Sequence, residues 1–233
     1  MPPQLIIQDV SLCAIVRDEI MNPAGGIVDF VDSTLPFLET GVIIDTGSLD
    51  GTRQALEELK AKHTNLFVYD HKFNGYGPSR NVSLERTKTK YALVLDADER
   101  LTPWDFSEIR LFLEYYPRLC YEFGFQHIHP DGRNVEAYNH TYRLFEASKF
   151  RFKRNLWECL SPAPKEGEYL ELPIKIKHFL PEVIGTLLKI TQWNNHIVNE
   201  SELNPQIGAP SQTKNFEIWK LYNLGWKPYY SRY

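Results

Sequence analysis

The chain is short of several things, and each shortage excludes a class of protein. Its three cysteines, Cys13, Cys120 and Cys159, stand far apart with no Cys-x-x-Cys spacing. That rules out a disulfide framework or a thiolate metal knuckle and leads to the expectation of reduced thiols in a cytoplasmic compartment. Cys13, inside an apolar run, reads as a small core residue. No apolar stretch approaches the roughly 20 residues of a membrane-spanning helix. The opening Met1-Pro2-Pro3-Gln4 lacks the charged and apolar regions of a secretory leader. The sequons at Asn81, Asn139 and Asn199 are therefore expected to stay unmodified. There is no long Lys/Arg cluster, and the formal net charge is −4. Nucleic acid is thus not expected as a partner, and any anionic ligand has to be met by a local basic pocket. Internal repeats and low-complexity tracts are also missing, which excludes solenoids and propellers.

What is present is a regular alternation. With 233 residues and 42% hydrophobic content the chain can bury one large core with a small appendage. Strands are expected at 10–16, 41–45, 66–69 and from Tyr91, separated by helical patterns at 27–38, 50–63 and 78–88. Ser48 or Asp50 can cap the second of those helices. Such a βαβαβαβ order makes the fold class α/β with a mainly parallel sheet. After Asp98 the rhythm changes. A helix is expected from Trp104 to Tyr115, with Thr102 or Asp105 near its start, and Pro117 closes it. Strands at 121–129 and 135–145 flank the turn signal Pro130-Asp131-Gly132-Arg133 and make an antiparallel hairpin, and 170–178 alternates as one more strand. Residues 199–211 read as a linker into an aromatic tail.

The most informative segment is Tyr91-Ala92-Leu93-Val94-Leu95-Asp96-Ala97-Asp98-Glu99. An apolar run of this kind reads as a strand buried on both faces, and in open α/β sheets ligands collect beyond the carboxyl ends of such strands. Alternation along an extended backbone would put the Asp96 and Asp98 side chains on one side. Two close oxyanions repel each other, and an oxygen-seeking divalent cation, itself a common bridge to phosphate, relieves that. Taken alone an Asp-x-Asp is a weak signal, but other groups stand at neighbouring strand ends. These are Arg17-Asp18-Glu19, the loop Asp45-Thr46-Gly47-Ser48-Leu49-Asp50-Gly51-Thr52, and Gly77-Pro78-Ser79-Arg80-Asn81.

In this order the blocks resemble the family 2 glycosyltransferases over about residues 11–178. The resemblance implies a GT-A (Rossmann-like), mostly parallel sheet flanked by helices, with an antiparallel hairpin in the acceptor half. It divides the chain into residues 1–184 (a nucleotide-binding half, 1–100, and an acceptor or catalytic half, 101–184) and a C-terminal helical, aromatic extension, 185–233. By carry-over, Ala14, Val16, Arg17, Glu19, Asp45, Gly47, Arg80, Asp96, Ala97 and Trp157 are expected to meet a nucleotide-diphospho-sugar, UDP-linked in the first instance. Asp45 can accept from a ring N–H of uracil, and Gly47 lets the backbone turn. Ser48 and Asp50 read as structural. Asp98 is expected to ligate Mn²⁺ or Mg²⁺, with Asp96 on the ribose or a metal-bound water and His178 completing the coordination.

Arg143-Leu144-Phe145 and the stretch 152–158 look like the block of one bacterial branch in which an Arg-Leu-Phe strand precedes Val-His-Glu. Here Leu156 and Trp157 take the first two places and the carboxylate survives as Glu158. Glu158 is the expected general base and Glu99 the reserve, in an inverting transfer to a glycan, lipid-linked or protein acceptor. The rivals are a non-catalytic sugar-nucleotide or glycan-binding module on the same fold, and a sugar-1-phosphate nucleotidyltransferase. The latter should carry a basic, Gly-rich loop where Arg17-Asp18-Glu19-Ile20-Met21-Asn22 stands. His127 and His129 share a strand face but lack a third ligand by spacing, so they read as structural or acceptor-lining. The stretch 71–77 reads as a flexible flap over the donor. The tail beyond Pro210 gathers aromatics beside lysines, which suits docking on the core or a partner more than a peripheral membrane contact.

Overall fold

The structure, a computed structural model, describes residues 6–154 and 158–180, with the backbone alone at residues 137–139. In chain order the elements are β1 (Ile7–Val16), α1 (Gly26–Thr34), β2 (Leu38–Asp45), α2 (Thr52–Lys62), β3 (Leu66–Asp70), α3 (Tyr76–Arg86) and β4 (Tyr91–Val94). They continue with β5 (Glu99–Arg100), α4 (Pro103–Tyr115), β6 (Cys120–Ile128), β7 (Asn134–Glu146), β8 (Arg151–Lys153), β9 (Cys159–Ser161) and β10 (Tyr169–Phe179). One sheet runs β3-β2-β1-β4-β7-β6-β10-β5, and β8 and β9 form a second, antiparallel pair. The chain divides into Met1–Leu180 and Pro181–Tyr233. The described residues belong to the first unit, so the linker, the aromatic tail and the expected boundary at 184/185 lie outside them.

The parallel half follows from its apolar runs. β1 pairs in parallel with β2 on one side and β4 on the other, so both of its faces must be apolar. Period-two alternation then deals its side chains to two cores. Leu12, Ala14 and Val16 join Leu93 and Leu95 against Phe30, Val31, Leu56, Leu59, Phe106 and Ile109 of α1, α2 and α4. Cys13 joins Ala92, Val94 and Phe145 against Leu84 of α3, Phe150 just before β8 and Leu160 of β9. Cys13 is a core residue, as its run implied, and burial pushes its thiol up to about 11.

The helices differ from expectation where local chemistry intervenes. The pattern over 27–38 resolves into α1 and a 3-10 turn, Leu35–Phe37, since Pro36 supplies no N–H to carry the helical bonding onward. At α2 the cap position is Gly51, at φ +101°, and Asp50 instead accepts from the backbone N–H of Thr52 at 2.9 Å. At α4 Thr102 and Asp105 both act, in a reciprocal capping box. The stretch expected as a flap ends sooner than its glycines suggest, since Tyr76 and Gly77 already belong to α3.

The order of the second half was not foreseen. The hairpin β6–β7 is present, but it is β7 that joins β4, antiparallel, while β10 lies parallel on the far edge of β6 and β5 closes the sheet against β10. In a flat sheet β4 and β5 would be four spacings apart, roughly 19 Å. Only residues 95–98 connect them, and these contain a tight turn closed by the Glu99 N–H on the Asp96 carbonyl, 2.9 Å. Fully extended, that link would reach about 17 Å. The sheet must therefore curl, bringing β10 and β5 back over the carboxyl end of β4.

α3 is pinned to the second sheet. The Asn81 amide donates to the Phe152 carbonyl at 2.9 Å and its oxygen accepts the Phe152 N–H at 2.8 Å, so a side chain pairs with β8 as a strand would. The nitrogen a sequon would offer for glycosylation is thus engaged. A Cβ on Gly77 would overlap the Arg154 carbonyl oxygen. Replacing a helical glycine by alanine ordinarily stabilises by up to about 1 kcal/mol. Here the sign should reverse. Gly77→Ala is expected to lower the unfolding free energy by about 1–3 kcal/mol in urea titration. A stabilised variant would contradict the close approach of α3 to β8.

Candidate active site

The site is built on the turn that links β4 to β5. Its Ala97 carbonyl accepts from Asn22 Nδ2 and from Arg100 Nη1, each at 2.8 Å, and the Asp98 carbonyl accepts the Phe179 N–H at 2.9 Å. Regular strand ends at Val94, so Asp96 and Asp98 are not displayed on one side of an extended backbone, as alternation had implied. Asp96 opens a turn and Asp98 lies within it, and their carboxylates face different partners.

Asp96 lies in a ladder of alternating charge. Arg80 on α3 donates through Nη2 to Asp96 Oδ1 at 2.8 Å and through Nε to Glu158 Oε1 at 2.6 Å. Arg143 on β7 lies 3.8 Å from Asp96 Oδ2 and donates to Glu99 Oε1 at 2.6 Å. Glu99 Oε2 in turn accepts the Asp96 N–H at 2.9 Å. The guanidiniums also lie over rings, Arg80 over Phe152 at 5.9 Å and Arg143 over Phe125 at 5.2 Å. Arg80 is only 5% exposed, a charge buried at the cost of several kcal/mol unless paired on more than one side. Burial works against an ionised Asp96, but Arg80 and then Arg143 outweigh it and hold that carboxyl below its usual range. Glu99 goes the other way. Burial, assisted by Asp96 and opposed by Arg143, pushes it up to about 7.

Asp98 faces β10. His178 Nε2 lies 3.7 Å from Asp98 Oδ2, and His178 Nδ1 lies 3.1 Å from Nδ1 of His127 on β6. Burial alone would lower the pKa of His178, yet Asp98, then Glu99 and Asp96, raise it. His127 is lowered by burial and by its neighbours His178 and His129.

The loops after β1 and β2 are zipped together beside the turn. Thr46 donates through its N–H and its hydroxyl to the Val16 carbonyl, each at 3.0 Å, and Ser48 Oγ accepts the Asp18 N–H at 3.0 Å. Thr52 Oγ1 accepts the Glu19 N–H at 2.7 Å. Asp45, 2% exposed, accepts the N–H groups of Gly47 and Ser48 on Oδ1, each at 2.8 Å. Its Oδ2 is buried with no hydrogen-bond partner among the described residues. Gly47, at φ +108°, makes the turn that Asp45 caps. Ala14, Val16 and Ala97 are buried in the main core, which leaves their backbones rather than their side chains to meet a ligand. Arg17 is partly exposed, 3.8 Å from Asp18. Trp157 lies outside the described residues.

The structure thus brings together Arg80, Asp96, Asp98, Glu99, Glu158 and His178. It adds three residues that had been given no role at the site, Arg143, Arg100 and Asn22, and places His127, which had been read as structural or acceptor-lining, against His178. Arg143 stood in the Arg-Leu-Phe block, which is the one signal that could have found it. Farther back on the sheet a different group, Glu122, His140 and Glu171, brings its ligand atoms within 4.8 Å of one another, largely exposed. Among the described residues no helix is long and apolar enough to cross a membrane.

If Arg80 is the pivot of the ladder, Arg80→Met should cost about 3 kcal/mol of stability in chemical denaturation, because it strands Asp96 and Glu158 beside each other. Arg80→Lys should recover only part, since one ammonium cannot reproduce the fork that spans both carboxylates. Equal stability of the wild type and Arg80→Met would remove Arg80 from that position.

The sequence model described as "Glycosyl transferase family 2" matches residues 30–163. No curated protein sequence matches the chain. Among solved structures, S. aureus TarS 1–349 in complex with UDP-GlcNAc superposes with a TM-score of 0.58 at 14% identity, covering 74% of this chain and 59% of that one. The same protein in complex with UDP gives 0.55 at 15% identity, covering 75% and 61%. At such identity the likeness is one of fold, and this chain spans about three fifths of the TarS 1–349 chains. The GT-A architecture expected from the sequence is the one found. With more than half of its length matched by the family's sequence model, this chain belongs to glycosyl transferase family 2.

Proposed function

We propose that the chain transfers a sugar, with inversion, from a nucleotide-diphospho-sugar, UDP-linked, to an acceptor hydroxyl on a glycan, lipid-linked or protein acceptor, in a reaction that depends on a divalent cation. The observation that carries this is the turn at the end of β4, where an arginine-clamped Asp96 and a histidine-facing Asp98 stand beside Glu158. For the donor, the buried Oδ2 of Asp45 offers an acceptor for a ring N–H such as that of uracil. The UDP complexes of S. aureus TarS, a protein of similar fold, agree with that choice.

The donor set fits a divalent ion. Arg80 and Arg143 are turned to Asp96, Glu99 and Glu158, while the Asp98 carboxylate and the His178 imidazole face each other at 3.7 Å. Asp98 and His178 would hold the cation, and an oxygen–nitrogen pair of this kind suits Mn²⁺ or Mg²⁺. When bound, the ion compensates the charge that develops on the leaving diphosphate.

The chain's own residues supply the rest. Glu158, with 18% of its side chain exposed against 3% for Glu99, is the carboxylate an incoming acceptor can reach. It takes the hydroxyl proton as the acceptor oxygen bonds to the anomeric carbon on the face opposite the breaking bond to the diphosphate. Glu99 orders the turn by accepting from Asp96 and Arg143. Arg80 holds Glu158 at a fixed distance from Asp96, so base and donor are positioned by one side chain.

Asp98→Asn is expected to abolish Mn²⁺-stimulated hydrolysis and transfer of a UDP-sugar with little change in melting temperature. Undiminished stimulation would sink the metal assignment. Glu158→Gln keeps the shape and removes the proton acceptor, so kcat should fall by about two to four orders of magnitude with donor KM little changed. A near-normal kcat in that variant would move the role to Glu99.

A further inference from the structure

Two imidazoles meet where the curled edge of the sheet closes on the turn. His127 and His178 are register partners on the parallel strands β6 and β10, so they leave the same face side by side. Their Nδ1 atoms lie 3.1 Å apart and their rings cross at 61°, while His178 turns Nε2 toward Asp98 Oδ2 at 3.7 Å. Two imidazole nitrogens at hydrogen-bond distance need one proton between them, so one ring donates and the other accepts. If His127 donated, a neutral His178 would carry its proton on Nε2, and the nitrogen facing Asp98 would have no lone pair for a cation. If His178 donates through Nδ1, its Nε2 presents that lone pair toward Asp98. Only the second arrangement is compatible with a cation shared by Asp98 and His178. His127 turns its own Nδ1 onto the far side of His178, the side away from Asp98, which suits an orienting partner rather than a further ligand.

We propose that His127 is a positioning residue. It accepts the Nδ1–H of His178, fixes that ring's tautomer and orientation, and so sets the affinity for the cation without touching it. This rests on the reading that Asp98 and His178 hold the ion. Groups that orient a metal-binding imidazole in this way commonly contribute about 10- to 100-fold in metal affinity. The pairing is absent from any local motif, because the two residues are 51 positions apart and are joined only by the strand register.

The test uses Mn²⁺ alone on the full chain. Calorimetric titration should show His127→Ala binding Mn²⁺ about 10- to 100-fold more weakly than the wild type. His127→Asn, whose side-chain oxygen can take the place of Nδ1, should recover most of the loss. Electron spin-echo modulation of the bound Mn²⁺ should report one coordinated imidazole nitrogen in the wild type and the same in His127→Asn. Unchanged affinity in His127→Ala, with one imidazole still coordinated, overturns the positioning role and leaves the metal site standing. Two coordinated imidazoles in the wild type, falling to one in His127→Asn, make His127 a ligand and overturn the proposal. No coordinated imidazole in the wild type removes His178 as a ligand, and the underlying reading fails instead. If His127→Ala does not fold, His127→Leu serves in its place.

Discussion

The constraint on which the site depends is the shortness of the link between β4 and β5. Residues 95–98 include a closed turn, yet they join strands that the sheet order separates by β7, β6 and β10. A chain this short can span that separation only if the sheet curls, and curling delivers Arg143 from β7 and His178 from β10 to one place. The turn is secured on several sides, by Asn22 and Arg100 on the Ala97 carbonyl and by Phe179 on the Asp98 carbonyl. Arg100 is itself anchored to Asp29 at 3.0 Å and to the Ala24 carbonyl at 2.8 Å, which ties the turn to α1 and the segment before it. The carboxylates are thus placed by backbone and buried hydrogen bonds rather than by attraction to a ligand.

Charge compensation follows from that placement. Carboxylates gathered on a short turn repel one another, and burial raises the cost. Two arginines, from α3 and β7, separate Glu158, Asp96 and Glu99 in an alternating order. Arg80 can reach both of its partners because α3 lies close on the second sheet, where Asn81 holds β8 and Gly77 leaves room for the Arg154 carbonyl. The second sheet therefore has a function beyond covering the core around Phe145 and Phe150. It delivers Glu158 to the helix that carries Arg80.

The first half of the fold was legible because β1, β2 and β4 are buried on both faces and announce themselves as apolar runs, with turn and cap residues between them. β5, β8 and β9 are two or three residues long, too short for any period to show. The sheet order was not legible either, since the choice of β7 rather than β6 as the partner of β4 is settled by long-range packing. At the site, Asp96, Asp98, Arg80 and Glu158 were legible from their places in local blocks. Arg143 was visible only as part of the Arg-Leu-Phe block and His127 only as a structural or acceptor-lining residue, because only the curl brings their strands to the turn. The expectation of two aspartates on one strand face failed for a related reason. It assumed that the strand continued, whereas the chain needed a turn there to reach β10.

Under the proposed function, the turn at the end of β4 binds a nucleoside diphosphate through a divalent cation. Calorimetric titration of UDP into the protein tests it most directly, with and without Mn²⁺ and with metal removed by chelation. The account predicts tight, saturable binding with Mn²⁺ and a loss of at least about tenfold in affinity without it. Equal affinity in the presence and absence of Mn²⁺ would contradict it.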